Sequence, residues 1–358
     1  MTYRNYNTYK EIMRQPQTWK NVIGKIVKNS DRLRQIFIKD YDKIIIFGCG
    51  SSYNLSQSAA FFTRYLFGDM ESQAIPSSEI LLNPDLYIKN NKRYMLVGFS
   101  RSGETTESVD VLKNLKDRKN LSFFTFTCRE NSSFSKLCSN CFVCEGAVEK
   151  SIVMTESFSS MLLAFCLTMI ALKGDDKLVN EMFEEFNSMT EYIEKNISFI
   201  ESYIKSFIDN NSFDSYFTLG SGFNYGLAVE ADLKMKEMSQ VPSYSYHLYE
   251  FSHGPKSLLN EESLCVILAL SSNLIKYEKI LKEFYDLGPK MLVIGSNRIN
   301  SLVGRERAEY ILGDSDFKFD IVKSFINIPV FQMLAFFKTL QKKLNPDLPK
   351  NLVYTVKI

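Results

Sequence analysis

Residues 98–108, GFSRSGETTES, gather five hydroxyl side chains, two glycines and one arginine directly behind the apolar run RYMLVGF. A strand ending at Phe99 and a helix beginning near SVDVLKNLK would put the hydroxyls of Ser100, Ser102 and Thr105, together with free backbone N–H groups, at a helix N-terminus. That arrangement favours a small dianion. Neutral donors with at most one cation, here Arg101, suit a monoester phosphate on a small molecule, whereas a triphosphate would need lysine and magnesium. Ordinary helix capping uses one hydroxyl, not three.

A second group of reactive types lies in LKMKEMSQVPSYSYHLYEFSHGPKS, from Leu233 to Ser257. It holds both histidines of the chain. His247 sits in an alternating aromatic run, which suits packing or surface, while His253 sits in a His-Gly-Pro turn preceded by Glu250, where a ring can be fixed in orientation. Glu237 shares an amphipathic helical stretch with Lys234 and Lys236. Residue types alone leave it readable as a general base or as a solvated helical carboxylate.

These residues need a scaffold, and the chain supplies the same one twice. KIIIFGCGSSYNLSQSAAFFTRYLF, from Lys43, is a β-branched run, a Gly-x-Gly turn and a helical period; YFTLGSGFNYGLAVEADLKMKEM, from Tyr216, repeats the plan. Gly48 and Gly50 align with Gly220 and Gly222, 172 residues apart (220 less 48). Further apolar runs follow in each half: RYMLVGF, LSFFTFTC and CFVCEG, then SLCVILAL, KMLVIGS and EYILGD. The expectation is an α/β fold of two tandem domains, each a doubly wound parallel sheet with helices on both faces. We place an N-terminal helical segment at 1–40, the first domain at 41–174, a helical linker at 175–210, the second domain at 211–340 and a tail at 341–358. The third glycine of a dinucleotide fingerprint is missing from both turns, with Tyr53 at its place in GCGSSY and none in GSGFNY, and no Walker lysine pattern occurs. What remains is a sharp turn at the carboxyl end of a strand, with Ser51 and Ser52 beside it.

Composition narrows the classes. At 358 residues and 45% hydrophobic content, the chain can bury a large core; 43 basic against 41 acidic residues leave +2, with no basic run to suit a nucleic acid backbone. The start, MTYRNYNTYKEIMRQ, lacks a signal-peptide core, and MLLAFCLTMIAL (161–172) is too short to span a bilayer and suits a buried helix. A soluble, cytoplasmic protein with no nucleic acid or membrane partner is expected. Seven cysteines, an odd number, fit reduced thiols better than a disulfide framework. Cys138, Cys141 and Cys144 form a C-x-x-C-x-x-C run that lacks a nearby fourth ligand, so no metal is assigned.

Several ordered motifs together resemble the sugar isomerase (SIS) family, in particular its two-domain members: the isomerase half of glucosamine-6-phosphate synthase and the stand-alone phosphosugar isomerases, deaminases and deglycases. They are E-I-x-x-Q-P (Glu11, Ile12, Gln15, Pro16), GCGSSY, SxSGET, KSIVMTESF, LKxKE, EFxHGP and a P-K-N-L tail, and they cover nearly the whole chain. The resemblance implies that Ser52, Ser100, Ser102 and Thr105 cradle a sugar phosphate, with Arg101 standing where the synthase has glutamine. It implies that Glu237 moves a proton between C1 and C2 and that His253 assists ring opening, entering from the neighbouring subunit of a homodimer with shared active sites. Gly50, Ser51, Lys234, Glu250 and Tyr354 are further candidates for substrate contact. The implied reaction, aldose–ketose isomerisation or isomerising deamination of a hexose or hexosamine 6-phosphate, needs no metal or organic cofactor.

Two departures from the family pattern bear on substrate. Tyr354 stands where the synthase has the lysine that condenses with the open-chain ketose, and Glu156 replaces another lysine in KSIVMTESF. A chain that begins MTYRNY also lacks the synthase's amino-terminal nucleophilic cysteine. Substrates that already carry nitrogen become more attractive, including fructosamine 6-phosphates for a deglycase. A sugar-phosphate-binding regulator is the reading from another class, and no SxSGET copy follows SLCVILALSS in the second half.

Overall fold

A computed structural model describes residues 2–37, 41–269, 274–295, 309–311 and 317–357. The helices are α1 (Asn7–Phe37), α2 (Ser51–Phe67), α3 (Ser77–Leu82), α4 (Pro84–Tyr87), α5 (Thr106–Leu115), α6 (Ser133–Leu137), α7 (Glu156–Lys173), α8 (Asp176–Asn210), α9 (Phe223–Lys234), α10 (Leu274–Tyr285), α11 (Asp320–Ser324) and α12 (Asn327–Gln341). The strands are β1 (Lys43–Gly48), β2 (Glu71–Pro76), β3 (Tyr94–Ser100), β4 (Leu121–Thr127) and β5 (Cys141–Val143), then β6 (Ser215–Gly220), β7 (Ser243–His247), β8 (Ser263–Leu268), β9 (Lys290–Ile294) and β10 (Glu309–Ile311). Two compact units result: an N-terminal unit of Arg14–Thr190 with Val353–Ile358, and a C-terminal unit of Met1–Met13 with Glu191–Leu352.

Each unit holds one five-stranded parallel sheet, ordered β2-β1-β3-β4-β5 in the first and β10-β9-β8-β6-β7 in the second. Renumbering the second sheet from β6 gives the same topology, so the duplication expected from the glycine spacing is present in the fold. Strand β3 is buried along all seven residues, as a sheet covered on both faces requires. One side of the first sheet packs Ile45, Phe47 and Leu96 against Val109 and Leu112 of α5. Phe99 and Phe126 meet Phe165 of α7. In the second sheet Phe217, Cys265, Ile267 and Val293 pack with Phe251 and Phe284.

The two Gly-x-Gly turns are alike in detail. Gly50 (φ 54, ψ −126) and Gly222 (φ 60, ψ −126) hold a conformation that residues with a Cβ rarely adopt. At Gly48 an added Cβ would lie 2.6 Å from the Ser52 carbonyl carbon, and at Gly220 2.3 Å from the Asn224 oxygen. Glycine at both places lets the following helix start against the strand end. Two helical stretches, Glu156–Lys173 and Asp320–Gln341, are apolar and long enough to cross a membrane, and each is 89% buried inside the protein. The stretch after β8 where a second hydroxyl loop would fall, residues 270–273, lies outside the described residues.

Candidate active site

Because β1 and β3 are neighbours in register, with Phe47 opposite Gly98, the turns after them come together at the carboxyl edge of the first sheet. The turn after β1 carries Ser51 and Ser52, both buried, in the first turn of α2. The turn after β3 carries the hydroxyl loop. Ser100 Oγ accepts from the Gly103 N–H at 3.1 Å and lies 3.4 Å from Thr105 Oγ1, while Ser102 Oγ accepts from the Glu104 N–H at 3.2 Å. Each hydroxyl used as an acceptor keeps its own proton to donate. Thr105 occupies the N-cap position of α5, yet its side chain makes no capping bond.

Gly103 pins the loop. Its φ is +65, and a Cβ there would lie 2.3 Å from Ser132 Oγ. The carboxylate of Glu104, an odd neighbour for an anion, is occupied elsewhere: it accepts from the Ser133 N–H and Oγ, both at 2.7 Å. Burial works against its charge, but these donors outweigh it and hold Glu104 below the usual glutamate range.

Arg101, grouped with these hydroxyls in the sequence, has its guanidinium bonded within the protein. Its guanidinium is buried, with Nη1 on Glu149 Oε2 at 2.9 Å and on the Val153 carbonyl at 3.2 Å, and Nη2 on the carbonyls of Ile152 at 2.8 Å and Tyr354 at 3.0 Å. Glu149, fully buried, is the reason: it takes Arg101 together with N–H and hydroxyl donors of Thr155 and Ser157. With the guanidinium so engaged, the hydroxyls and N–H groups of the loop are neutral donors. The Tyr354 ring centroid lies 4.0 Å from the Arg101 guanidinium carbon and 5.1 Å from that of Arg129.

Sequence reasoning missed two hydroxyls beside the cradle. Ser77 Oγ and Ser108 Oγ lie 2.9 Å apart and buried, and Cys49 Sγ is 3.5 Å from Ser108 Oγ; burial pushes the Cys49 thiol up. Ser77 opens α3 directly after β2, so the carboxyl-edge rule that found Ser52 could have found it too.

In the C-terminal unit, the α9 helix passes into a π-helical turn over Met235–Ser239, ended by Gln240 at φ 54, and this turn carries Glu237. Such turns recur at functional sites, where the extra residue re-aims a side chain. Glu237 Oε2 pairs with the Nζ of Lys234, whose side chain is fully buried and lies 3.3 Å from Glu230 Oε1, itself fully buried. Lys234, a candidate for substrate contact by resemblance, is thus a buried cation between two carboxylates. Burial works against its charge; the two carboxylates outweigh it and keep it protonated above the usual lysine range.

His253 is exposed, at the end of a 3-10 turn (Glu250–His253) before Gly254 at φ 134, and makes no hydrogen bond or ion pair among the described residues. Glu250 opens the same turn and is exposed. His247 ends β7 with its ring on Tyr225, centroids 3.6 Å apart; burial lowers its pKa, with Glu250 opposing.

The SIS domain family model matches residues 37–171 and 212–333, most of the chain. A glutamine–fructose-6-phosphate aminotransferase (isomerizing) of Buchnera aphidicola is 27% identical over 384 residues, covering all of this chain and 60% of that protein. The chain thus spans about three fifths of the length of the curated relatives it matches. Among solved structures, glucosamine-6-phosphate deaminase of Thermotoga maritima superposes with a TM-score of 0.79 at 26% identity, over 98% of this chain and 100% of that one. A tagatose-6-phosphate ketose/aldose isomerase of Escherichia coli gives 0.84 at 20% identity, over 99% and 98%, a likeness of fold.

Proposed function

The chain belongs to the SIS domain family, and from that premise we propose that it is an enzyme acting on a hexose or hexosamine 6-phosphate, isomerising it or releasing ammonia from it. The observation that carries this reading is the loop after β3, whose Ser100, Ser102 and Thr105 stand at the start of α5 while Arg101 is bonded to Glu149; with Ser52, after β1, they form the neutral cradle of this proposal. A monoester dianion is met by hydroxyls and N–H groups at a helix N-terminus, where such an anion is favoured. Gly50 and Ser51 shape the same turn.

The ester holds the sugar in place and takes no part in the reaction; that positioning supplies much of the rate. With the ring open, Glu237 collects the proton bound to one carbon and returns it to the next, passing through an enediol or, for an aminosugar, an enamine, whose product imine water then hydrolyses to the ketose and ammonia. Lys234 holds the carboxylate in place for both transfers. His253 is assigned the proton movement of ring opening. Its exposure, with exposed Tyr249 and Leu258 close by in sequence, supports its entering the site of a second copy in a homodimer. Glu250 lies on that same segment. No residue in these roles requires a metal or an organic cofactor.

Tyr354 offers no amine, and its ring lies against two guanidinium groups. Substrates that bring their own nitrogen therefore fit better than a ketose awaiting one, which favours isomerising deamination. Release of an amino acid from a fructosamine 6-phosphate is the second reading, supported by the same residue. Incubating the protein with glucosamine 6-phosphate, fructose 6-phosphate, tagatose 6-phosphate, galactosamine 6-phosphate and fructoselysine 6-phosphate separates them. Ammonia among the products supports deamination, free lysine supports deglycation and a ketose–aldose pair without either supports plain isomerisation. Binding with no turnover of any ester would leave a regulator in place of an enzyme.

A further inference from the structure

We infer that Arg101 is a positioning residue that ties the segment Val353–Lys357 to the phosphate loop, so that filling the cradle and holding that segment are one coupled event. The inference rests on the cradle reading above. Arg101 is the second residue of the loop whose first, third and sixth residues, Ser100, Ser102 and Thr105, carry the cradle hydroxyls. Its own carbonyl accepts from the Cys128 N–H at 3.0 Å and from Thr127 Oγ1 at 3.2 Å, so the loop backbone is fixed to the end of β4. From that anchored position the guanidinium reaches three partners: the buried Glu149 carboxylate, the carbonyls of 151–153, and Tyr354.

The contact with Tyr354 is double. Nη2 donates to its carbonyl at 3.0 Å, and the phenol ring lies 4.0 Å from the guanidinium carbon. Among the described residues, this is the one hydrogen bond that reaches Val353–Lys357. Two weaker interactions accompany it: the Arg129 guanidinium carbon lies 5.1 Å from the ring centroid, and the charge of Lys357 helps lower the pKa of Glu104, a loop residue. The segment thus runs beside the loop and is fastened at one point. Planarity and five fixed donors are what allow one side chain to serve a carboxylate, four carbonyls and a ring face at once; lysine cannot do so.

Two sites that share one loop are linked, and the linkage is reciprocal: whatever factor a ligand in the cradle gains from the held segment, the segment gains from the ligand. The test measures the rate at which trypsin cuts after Lys350 and Lys357 in the intact protein, followed by mass spectrometry, with and without inorganic phosphate or glucosamine 6-phosphate. In the unmodified protein either ligand should slow those cuts. Arg101→Lys keeps the charge beside Glu149 but loses the fork. Its ligand-free cutting should rise about tenfold or more, the worth of one charge-assisted hydrogen bond, and the effect of ligand should disappear.

Ligand affinity should then fall only by the factor by which ligand had slowed cutting in the unmodified protein. A loss of affinity far beyond that factor would make Arg101 a phosphate ligand and overturn the inference; unchanged cutting with unchanged ligand sensitivity would overturn it as well. Tyr354→Ala, which leaves Arg101 and Glu149 intact, guards against misfolding of the first variant and should give a smaller acceleration of the same kind. Failure of the unmodified protein to bind either ligand refutes the cradle reading instead, and the ligand-free comparison then still decides whether Arg101 holds the segment.

Discussion

Replacing Lys234 by methionine should destabilise the C-terminal unit by about 3–5 kcal/mol, the cost of removing one member of a buried ion pair and stranding the other. The magnitude follows from the site. The Nζ of Lys234 is fully buried, it is 3.3 Å from the buried Glu230 carboxylate, and it pairs with Glu237, whose side chain keeps 20% exposure. Glu237 can turn part of its charge to water; Glu230 cannot. Most of the cost therefore falls on Glu230, and a second change, Glu230→Gln, should recover about 2–3 kcal/mol of it by removing the stranded charge. Methionine matches lysine closely in volume, so packing contributes little.

Hydrogen–deuterium exchange of the β6 and α9 amides reads opening of this unit directly, without assuming that both units unfold together. Stability and turnover should separate. The double variant regains protection but stays inactive, because Glu237 has lost the cation that aims it. A single variant within about 1 kcal/mol of the unmodified protein, or a double variant no better than the single one, would refute the buried-triad reasoning.

Two further outcomes are expected. Glu237→Gln should abolish turnover while leaving phosphosugar binding within a few fold, as isothermal titration would show; full activity in that variant removes the proton-transfer role. Glu156 is fully buried in the N-terminal unit, and burial pushes it up to about 7 against the opposing pull of Arg14 and Thr18, with Glu149 adding to the rise. Its folded form therefore holds a proton that the unfolded chain releases near the usual glutamate value. Stability should fall as pH rises from that value through about 7 and level off above it. Glu156→Gln should remove that slope, worth roughly 3 kcal/mol, and melt higher than the unmodified protein at pH 8; an unchanged slope in thermal melts would count against it.

Local pattern was enough for the strands other than β2 and β7, for the two glycine turns and for the hydroxyl loop. Continuous β-branched runs mark buried parallel strands, and Gly48, Gly50, Gly220 and Gly222 are demanded by backbone geometry within a few residues. The side-chain surroundings that local pattern did not show depend on distant partners. Arg101 turns inward because of Glu149, 48 residues on, and Tyr354, 253 residues on. Glu237 was readable as a solvated helical carboxylate because the burial of Lys234 beside it comes from tertiary packing around α9, and a π turn under Glu237 leaves no mark in a 3.6-residue pattern. The start of α1 is held likewise: Asp347 accepts from the N–H groups of Asn7 and Thr8, both at 2.8 Å, across some 340 residues of chain.

The most direct test is a crystal of the protein soaked with glucosamine 6-phosphate. The ester oxygens should lie within hydrogen-bond distance of the hydroxyls of Ser52, Ser100, Ser102 and Thr105, with the Arg101 guanidinium still on Glu149. Density for the ester at another place, or Arg101 swung out to meet it, would contradict the account.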